Sequence, residues 1–200
     1  MLDQALPGSQ AETTSRRLLG SVGLAVECFN NAQEYLTQFD PTRPGCLVLD
    51  IRMPGMNGLE LQDHLLAEQD PLPIIFITGH GDIPMAVEAM KKGALDFIRK
   101  PFRDQELLDR VRDALNQDAD NREHQADLDA VRNRLGSLTP REREVFERVA
   151  EGQANKVVAI DLEISERTVE IHRSQVMQKM EARNLADLVR MKILLEQNGL

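Results

Sequence analysis

Three residues in the first half of the chain have types and positions suited to one reaction. Asp50 closes the apolar run Cys46-Leu47-Val48-Leu49, so a carboxylate stands at the end of a buried segment. Thr78 closes Pro73–Thr78 in the same way, and Asp96–Arg99 runs directly into Lys100-Pro101. A carboxylate can attack a phosphoryl group. An ammonium and a hydroxyl can then neutralise and hydrogen-bond the phosphoryl oxygens. Each residue alone is ordinary; the three together, each at the end of an apolar segment, point to phosphoryl acceptance. His80 lies beside them between Gly79 and Gly81. With no second metal-type ligand near it, it reads as a loop-shaping or phosphorylation-tuning residue.

The segments that must position these residues alternate. Ala25–Phe29, Cys46–Leu49, Pro73–Thr78 and Asp96–Ile98 are short apolar runs of strand length, three of them expected to be buried on both faces. Between them Ala32–Gln38, Leu59–Glu68 and Met85–Lys91 carry apolar residues at three- and four-residue spacing. Strand and helix in alternation predict a parallel sheet with helices on both sides, and such sheets gather their chemistry at the carboxyl ends of the strands. A further helix begins near Asp104, with Leu107, Leu108, Val111 and Leu115 as its buried stripe. From Asn116 to Arg134 apolar residues thin out among charges of both signs, which reads as a solvated helical linker, with a coiled-coil contact to a second copy as the alternative.

The last segment is helical throughout. Thr139-Pro140-Arg141-Glu142 combines an N-cap hydroxyl, a proline at the first helical position and a Glu three residues after the cap. That helix runs to about Ala150. Further helices are expected at Asn155–Leu162, Glu166–Met180 and Leu185–Leu195. Leu162-Glu163-Ile164 makes a turn and Ser165 caps the next helix, the organisation of a helix-turn-helix. In that second helix Val169, Val176 and Met180 share a face, while Ile171 is turned about 200° from Val169 and points outward. An outward Ile beside Glu170 and Ser174 suits a groove-reading surface, Ile against a thymine methyl and Glu accepting from cytosine.

Composition narrows the classes. The 200 residues are 42% hydrophobic and 28% charged, ordinary for a globular protein and too apolar for a disordered one. No run reaches the roughly 18 apolar residues that span a bilayer. Cys28 and Cys46 are isolated thiols, expected as small buried strand residues in a reducing cytoplasm. The net charge of −9 is unevenly placed: Met1–Gly136 holds 14 Lys/Arg against 22 Asp/Glu, and Ser137–Leu200 holds 10 against 11. An acidic part is followed by a nearly neutral one.

The stretches Leu49-Asp50-Ile51-Arg52-Met53-Pro54-Gly55-Met56-Asn57-Gly58, Ile77-Thr78-Gly79-His80-Gly81-Asp82-Ile83-Pro84 and Lys100-Pro101-Phe102 resemble a response-regulator receiver domain of the FixJ type over roughly Leu18–Leu115. The resemblance implies a flavodoxin-like α/β domain phosphorylated on Asp50 by a sensor histidine kinase with Mg²⁺. It makes Thr78 the switch hydroxyl, Lys100 the basic residue of the site and Phe97 the aromatic switch, and it places the Arg52 carbonyl in the metal shell beside Asp50. Receivers of this family open with a hydrophobic strand followed by two acidic residues that hold Mg²⁺. Here Met1–Gln10 reads MLDQALPGSQ, and Leu6 and Pro7 fall near the acidic pair. The expectation is a truncated receiver N-terminus with its first strand missing, a weakened Mg²⁺ cage to which Asp3 is a doubtful contributor, and weak or absent phosphorylation of Asp50.

Leu138-Thr139-Pro140-Arg141-Glu142-Arg143-Glu144-Val145, Asn155-Lys156, Ser165–Arg173 and Val176–Met180 resemble a LuxR/NarL/FixJ-type output domain from Ser137 to about Ile193. That implies an all-α four-helix domain whose third helix enters the major groove. Lys156, Thr168, Arg173 and Lys179 would contact phosphates, while Glu170, Ile171 and Ser174 would face base edges. The last helix would add a dimer contact on a two-fold related site.

The expected organisation is a receiver at 1–116, a helical linker at 117–136 and a helix-turn-helix domain at 137–200. The expected function is a two-component transcriptional regulator that activates, and not an enzyme. Its expected partners are promoter DNA, a sensor kinase, a second copy and RNA polymerase. A phosphatase of the haloacid dehalogenase type needs a second acid two residues after the nucleophile, where this chain has Arg52. The alternative is a phosphorylation-independent DNA-binding regulator whose degenerate receiver serves dimerisation or protein contacts.

Overall fold

A computed structural model of the chain describes residues 2–5, 10–68, 72–79 and 83–199, with side chains from residue 15 onward. It divides into two compact units, Met1–Arg122 and Glu123–Leu200.

In the first unit strands β1 (Leu2–Ala5), β2 (Ala25–Cys28), β3 (Gly45–Asp50), β4 (Ile74–Thr78) and β5 (Asp96–Arg99) alternate with helices α1 (Gln10–Ser21), α2 (Ala32–Gln38), α3 (Gly58–Ala67) and α4 (Ile83–Lys91), and α5 (Asp104–Gly136) follows β5. All pairings are parallel and the order is β2-β1-β3-β4-β5. The two-residue period of the strands divides the core. Leu47 and Leu49 of β3 with Ile74 and Phe76 of β4 face Tyr35, Leu61, Leu65, Ala86 and Ala89 of α2, α3 and α4. Cys46, Val48, Ile75 and Ile98 face the opposite way, onto Leu19 of α1 and Leu107, Val111 and Ala114 of α5. Each large side chain so buried contributes about 1.5–3 kcal/mol, which makes the pattern of β3 and β4 the main determinant of register.

Three expectations are corrected here. The first strand is present: Leu2–Ala5 pairs with Ala25–Cys28 on one side and Gly45–Val48 on the other. A ladder is built from backbone N–H and C=O groups, so Leu-Asp-Gln-Ala can fill a central slot without β-branched residues. Among the strands whose side chains are described, only β3 and β4 are buried on both faces, because β2 and β5 are the sheet edges. For the same reason Cys46 is buried but Cys28, on the edge strand, is exposed.

Helix α5 runs unbroken from Asp104 to Gly136, and the charged stretch within it is more than a solvated spacer. Asp118 is buried, accepts the Gly45 N–H at 2.9 Å and takes the Arg122 Nε on both oxygens. The outer nitrogens of Arg122 donate to the carbonyls of Pro41, Thr42 and Arg43 at 2.8–3.3 Å. Further along, Leu128, Val131 and Leu135 enter the core of the second unit.

In that unit α6 (Pro140–Ala150), α7 (Asn155–Asp161), α8 (Glu166–Lys179) and α9 (Leu185–Gln197) enclose Val145, Phe146, Val169, Val176, Met180 and Leu188. Thr139 caps α6 in a reciprocal box with Glu142. Among the described residues no helix is long and apolar enough to cross a membrane.

Candidate functional site

The ladder brings the ends of β3, β4 and β5 together. Asp50 pairs with Ile77, Thr78 pairs with Arg99, and the Lys100 N–H donates to the Thr78 carbonyl at 2.8 Å. Neighbouring strands lie about 4.8 Å apart, so β3 and β5 are separated by about 10 Å across β4. The Lys100 stem, the Asp50 side chain and the hydrogen bond between them together bridge that gap, with Lys100 Nζ donating to Asp50 Oδ2 at 2.6 Å. The other carboxylate oxygen accepts the Arg52 N–H at 2.9 Å. With 26% of its side chain exposed, Asp50 is held in place yet open to a reacting group.

Behind Asp50 the chain turns directly into α3. Asn57 caps that helix in a reciprocal box with Glu60, and the Gly58 N–H donates to the Ile51 carbonyl at 3.0 Å. A Cβ on Gly58 would lie 2.7 Å from the Asp50 carbonyl oxygen and 2.9 Å from the Phe76 ring, so glycine alone permits this close approach. Thr78 is fully buried, and its Oγ1 has no hydrogen-bond partner among the described residues. Phe97 is half-buried against the core shared by α2, α3 and α4. His80 lies outside the described residues.

A Mg²⁺ ion requires near-octahedral oxygen ligation. The described residues supply Asp50 and the Arg52 carbonyl, and among them no group of three His, Cys, Asp or Glu is placed to hold a metal. Asp3 stands opposite Cys46, four residues before Asp50 and therefore about 13 Å back along the sheet. That register removes it as a ligand. Leu6 and Pro7, which carry no carboxylate, lie outside the described residues. This donor set does not fit the ion.

In the second unit α7 and α8 are joined by a turn whose Glu163 adopts a left-handed conformation at φ 54°. Ser165 caps α8 by accepting the Thr168 N–H at 3.1 Å, and the two hydroxyls lie 2.7 Å apart. Val169 and Val176 are buried, and Ile171 is 53% exposed. Glu170, Ser174 and Lys156 are exposed as well. Arg173 is half-buried, and its Nη1 donates to Asn155 Oδ1 at 2.9 Å.

Lys179 is placed differently from the expectation. Its Nζ donates to Glu142 Oε2 at 2.7 Å and to the Ser137 carbonyl at 3.3 Å. Glu142 is buried, and a buried carboxylate demands a cation, so the ammonium is committed inside the domain rather than held ready for a phosphate. The Lys179 hydrogen bond, then the Thr139 N–H, hold the Glu142 carboxyl below its usual range.

The sequence reading missed Asp118, Arg122 and Asn155 as positioning groups. For the first two the four-residue spacing on one helix was the available signal; for Asn155 none was local.

Residues 10–112 match the response regulator receiver domain family, and residues 136–192 match the bacterial regulatory proteins of the luxR family. The chain is 52% identical to Nodulation protein W of Bradyrhizobium diazoefficiens, covering 87% of this chain and 77% of that one. It belongs to the response regulators. Its luxR-family domain makes it a member of a DNA-binding class of transcriptional regulators, for which DNA and a kinase are the implied partners. A second relative, the transcriptional regulatory protein FixJ of the same organism, is 44% identical over 87% of this chain and 85% of that one. Among solved structures, a low-resolution structure of the response regulator StyR matches with a TM-score of 0.84 and 43% identity, covering 98% of both chains. Full-length FixJ from B. japonicum matches with a TM-score of 0.60 and 40% identity over 98% and 97%.

Proposed function

We propose that this response regulator accepts a phosphoryl group on Asp50 from a sensor histidine kinase, and that the modified receiver promotes binding of promoter DNA by α8 and activates transcription. The observation that carries the reading is the 2.6 Å pair of Asp50 and Lys100 at the ends of β3 and β5, with Thr78 of β4 between them in the sheet. An Asp50 oxygen attacks phosphorus, the phosphorus–nitrogen bond of the kinase phosphohistidine breaks, and the imidazole leaves with its electron pair. The product is an acyl phosphate carrying about −1.5 to −2 charges. Lys100 neutralises part of that charge, and the buried Thr78 hydroxyl is an unused donor beside it.

Dimerisation on activation uses the α4 face, where Ile83, Val87 and Met90 are exposed at four- and three-residue spacing. Leu185 and Ile193 of α9, also exposed, would pair the output domains on a two-fold related site. Thr168, Arg173 and Lys156 would lie toward phosphates, and Glu170, Ile171 and Ser174 toward base edges. The protein would act in the cytoplasm, with RNA polymerase as a further partner.

The test is incubation with a small phosphodonor and Mg²⁺, with phosphate-affinity electrophoresis and peptide mass spectrometry as readouts, alongside D50N. Labelling confined to Asp50, with tighter binding to promoter fragments, is the expected result. No labelling together with full DNA binding would overturn the phosphorylation step. It would leave the second reading, a phosphorylation-independent regulator, which the incomplete Mg²⁺ donor set favours.

A further inference from the structure

Arg173 and Lys156 are cations of the α7–α8 surface that form no ion pair among the described residues. The contrast within the same unit is clear. Lys179 faces Glu142 at 2.7 Å, Lys192 faces Glu151 at 2.7 Å, and Arg141 faces Glu144 at 2.7 Å. Each of those cations is matched by a carboxylate. Arg173 is instead held by a neutral group, the side-chain oxygen of Asn155, eighteen residues away on another helix.

A helix is capped by the side chain at its N-cap position, and Asn155 stands one residue inside α7. Here the N-cap is Ala154 and α7 has no side-chain cap, while the Asn155 oxygen is engaged by Nη1 of Arg173. A carboxamide can fix a guanidinium without cancelling its charge, whereas a carboxylate in the same place would fix it and neutralise it. Guanidinium carries five N–H donors in a planar fork, so one bond to Asn155 leaves the rest for a bidentate partner such as phosphate.

We propose that Asn155 is a positioning residue for nucleic-acid binding: it orders the Arg173 guanidinium toward the phosphate backbone while preserving its full positive charge. This rests on the reading that α7 and α8 face a duplex. Asparagine and aspartate have the same shape, and at a helix start aspartate is the better residue for stability, because a negative charge suits the positive end of the helix dipole. A role in folding alone therefore predicts that N155D is tolerated. A role in positioning an uncancelled charge predicts that it is harmful.

The experiment uses the full chain and a fluorescent mixed-sequence duplex of about 30 base pairs, with anisotropy titrations over a range of salt concentrations. Thermal unfolding of each variant is followed in parallel. N155A is expected to weaken binding by about 3- to 10-fold with the salt slope unchanged, since the cation is present but no longer ordered. N155D is expected to unfold at the same temperature or higher, to bind at least tenfold more weakly, and to lower the slope by about 0.9, the value for one lost phosphate contact. R173A lowers the slope equally, and N155A added to R173A changes nothing further. Wild-type affinity in N155D, or a full N155A effect that persists without Arg173, overturns the proposal. If the wild-type chain fails to bind the duplex at low salt both with and without a small phosphodonor, the underlying DNA-facing reading has failed instead.

Discussion

Replacing Lys179 by methionine keeps the apolar stem and removes the ammonium, which isolates what that charge does. In the native domain the Glu142 side chain is 4% exposed and accepts two short bonds, from Lys179 Nζ at 2.7 Å and from the Thr139 N–H at 2.7 Å. Without Lys179 only the Thr139 bond remains to a buried carboxylate. Hydrogen bonds to charged groups contribute about 1.5–3 kcal/mol, and stripping one partner from a fully buried pair costs about 3–5 kcal/mol. Lys179 is itself 36% exposed, so solvent screens part of the pair and the lower range applies. K179M is therefore expected to lose about 2 kcal/mol, roughly 30-fold in the folding equilibrium. E142Q in the same background removes the buried charge and should recover more than half. The pH dependence has a definite sign. Because the folded Glu142 carboxyl sits below its usual value of 4.5, its stabilisation is complete above that value and is lost as pH falls through the folded one. K179M should shrink this acid-side loss. Urea unfolding of the helical unit by circular dichroism at neutral and mildly acid pH measures both effects. Duplex titrations supply the opposing check: K156A should lower the salt slope by about 0.9, and K179M should not. A K179M chain of native stability with a slope reduced by about one would show that Lys179 works at the phosphate and that the placement argued from Glu142 is wrong.

Gly58→Ala drives a methyl into the Asp50 carbonyl at 2.7 Å and the Phe76 ring at 2.9 Å. It should cost about 1–3 kcal/mol and slow Asp50 labelling by a phosphodonor, read by thermal unfolding and labelling rate. Asp118→Ala leaves the Gly45 N–H and the Arg122 guanidinium without their carboxylate, a loss of about 2–4 kcal/mol. Hydrogen exchange should show the Gly45 amide losing protection before the amides of mid-β3. Ala154→Ser supplies the missing cap of α7 and should raise the stability of the helical unit by about 1 kcal/mol, measured by urea unfolding.

What the sequence made legible was local. The apolar runs of β3 and β4, the alternation with helices and the Thr139–Glu142 box are all written within a few residues of one another, and the structure forms them where the periodicity places them. The outward turn of Ile171 follows from a single helical angle. What escaped depends on partners far along the chain. Leu-Asp-Gln-Ala has little strand character of its own and becomes β1 because β2 and β3 offer backbone partners on both sides. Asp118 looks like one more solvated acid until the loop 41–45, more than seventy residues earlier, arrives against it. Lys179 reads as a surface cation until Glu142, from the start of α6, is buried beside it. In each case composition and spacing were sound, and the deciding contact was one that no local pattern encodes.

That distinction also explains why a net charge of −9 is a poor guide to what α7 and α8 can face. Charges farther away than about 8–10 Å are largely screened at physiological salt, so the field at a surface is set by its own neighbours. Within the helical unit several carboxylates that make the balance acidic are already answered: Glu142 by Lys179, Glu147 and Glu151 by Lys192, Asp187 by Arg190. Those pairs contribute little field beyond their own length. Lys156 and Arg173 remain without an acidic partner among the described residues, and the side-chain oxygen that Arg173 hydrogen-bonds is neutral. A surface can thus be positive where it matters inside a domain that is almost neutral and a chain that is acidic. The property to count is unpaired charge on the reading face, and by that measure a single added acid at position 155 should matter more than the excess carried by the receiver.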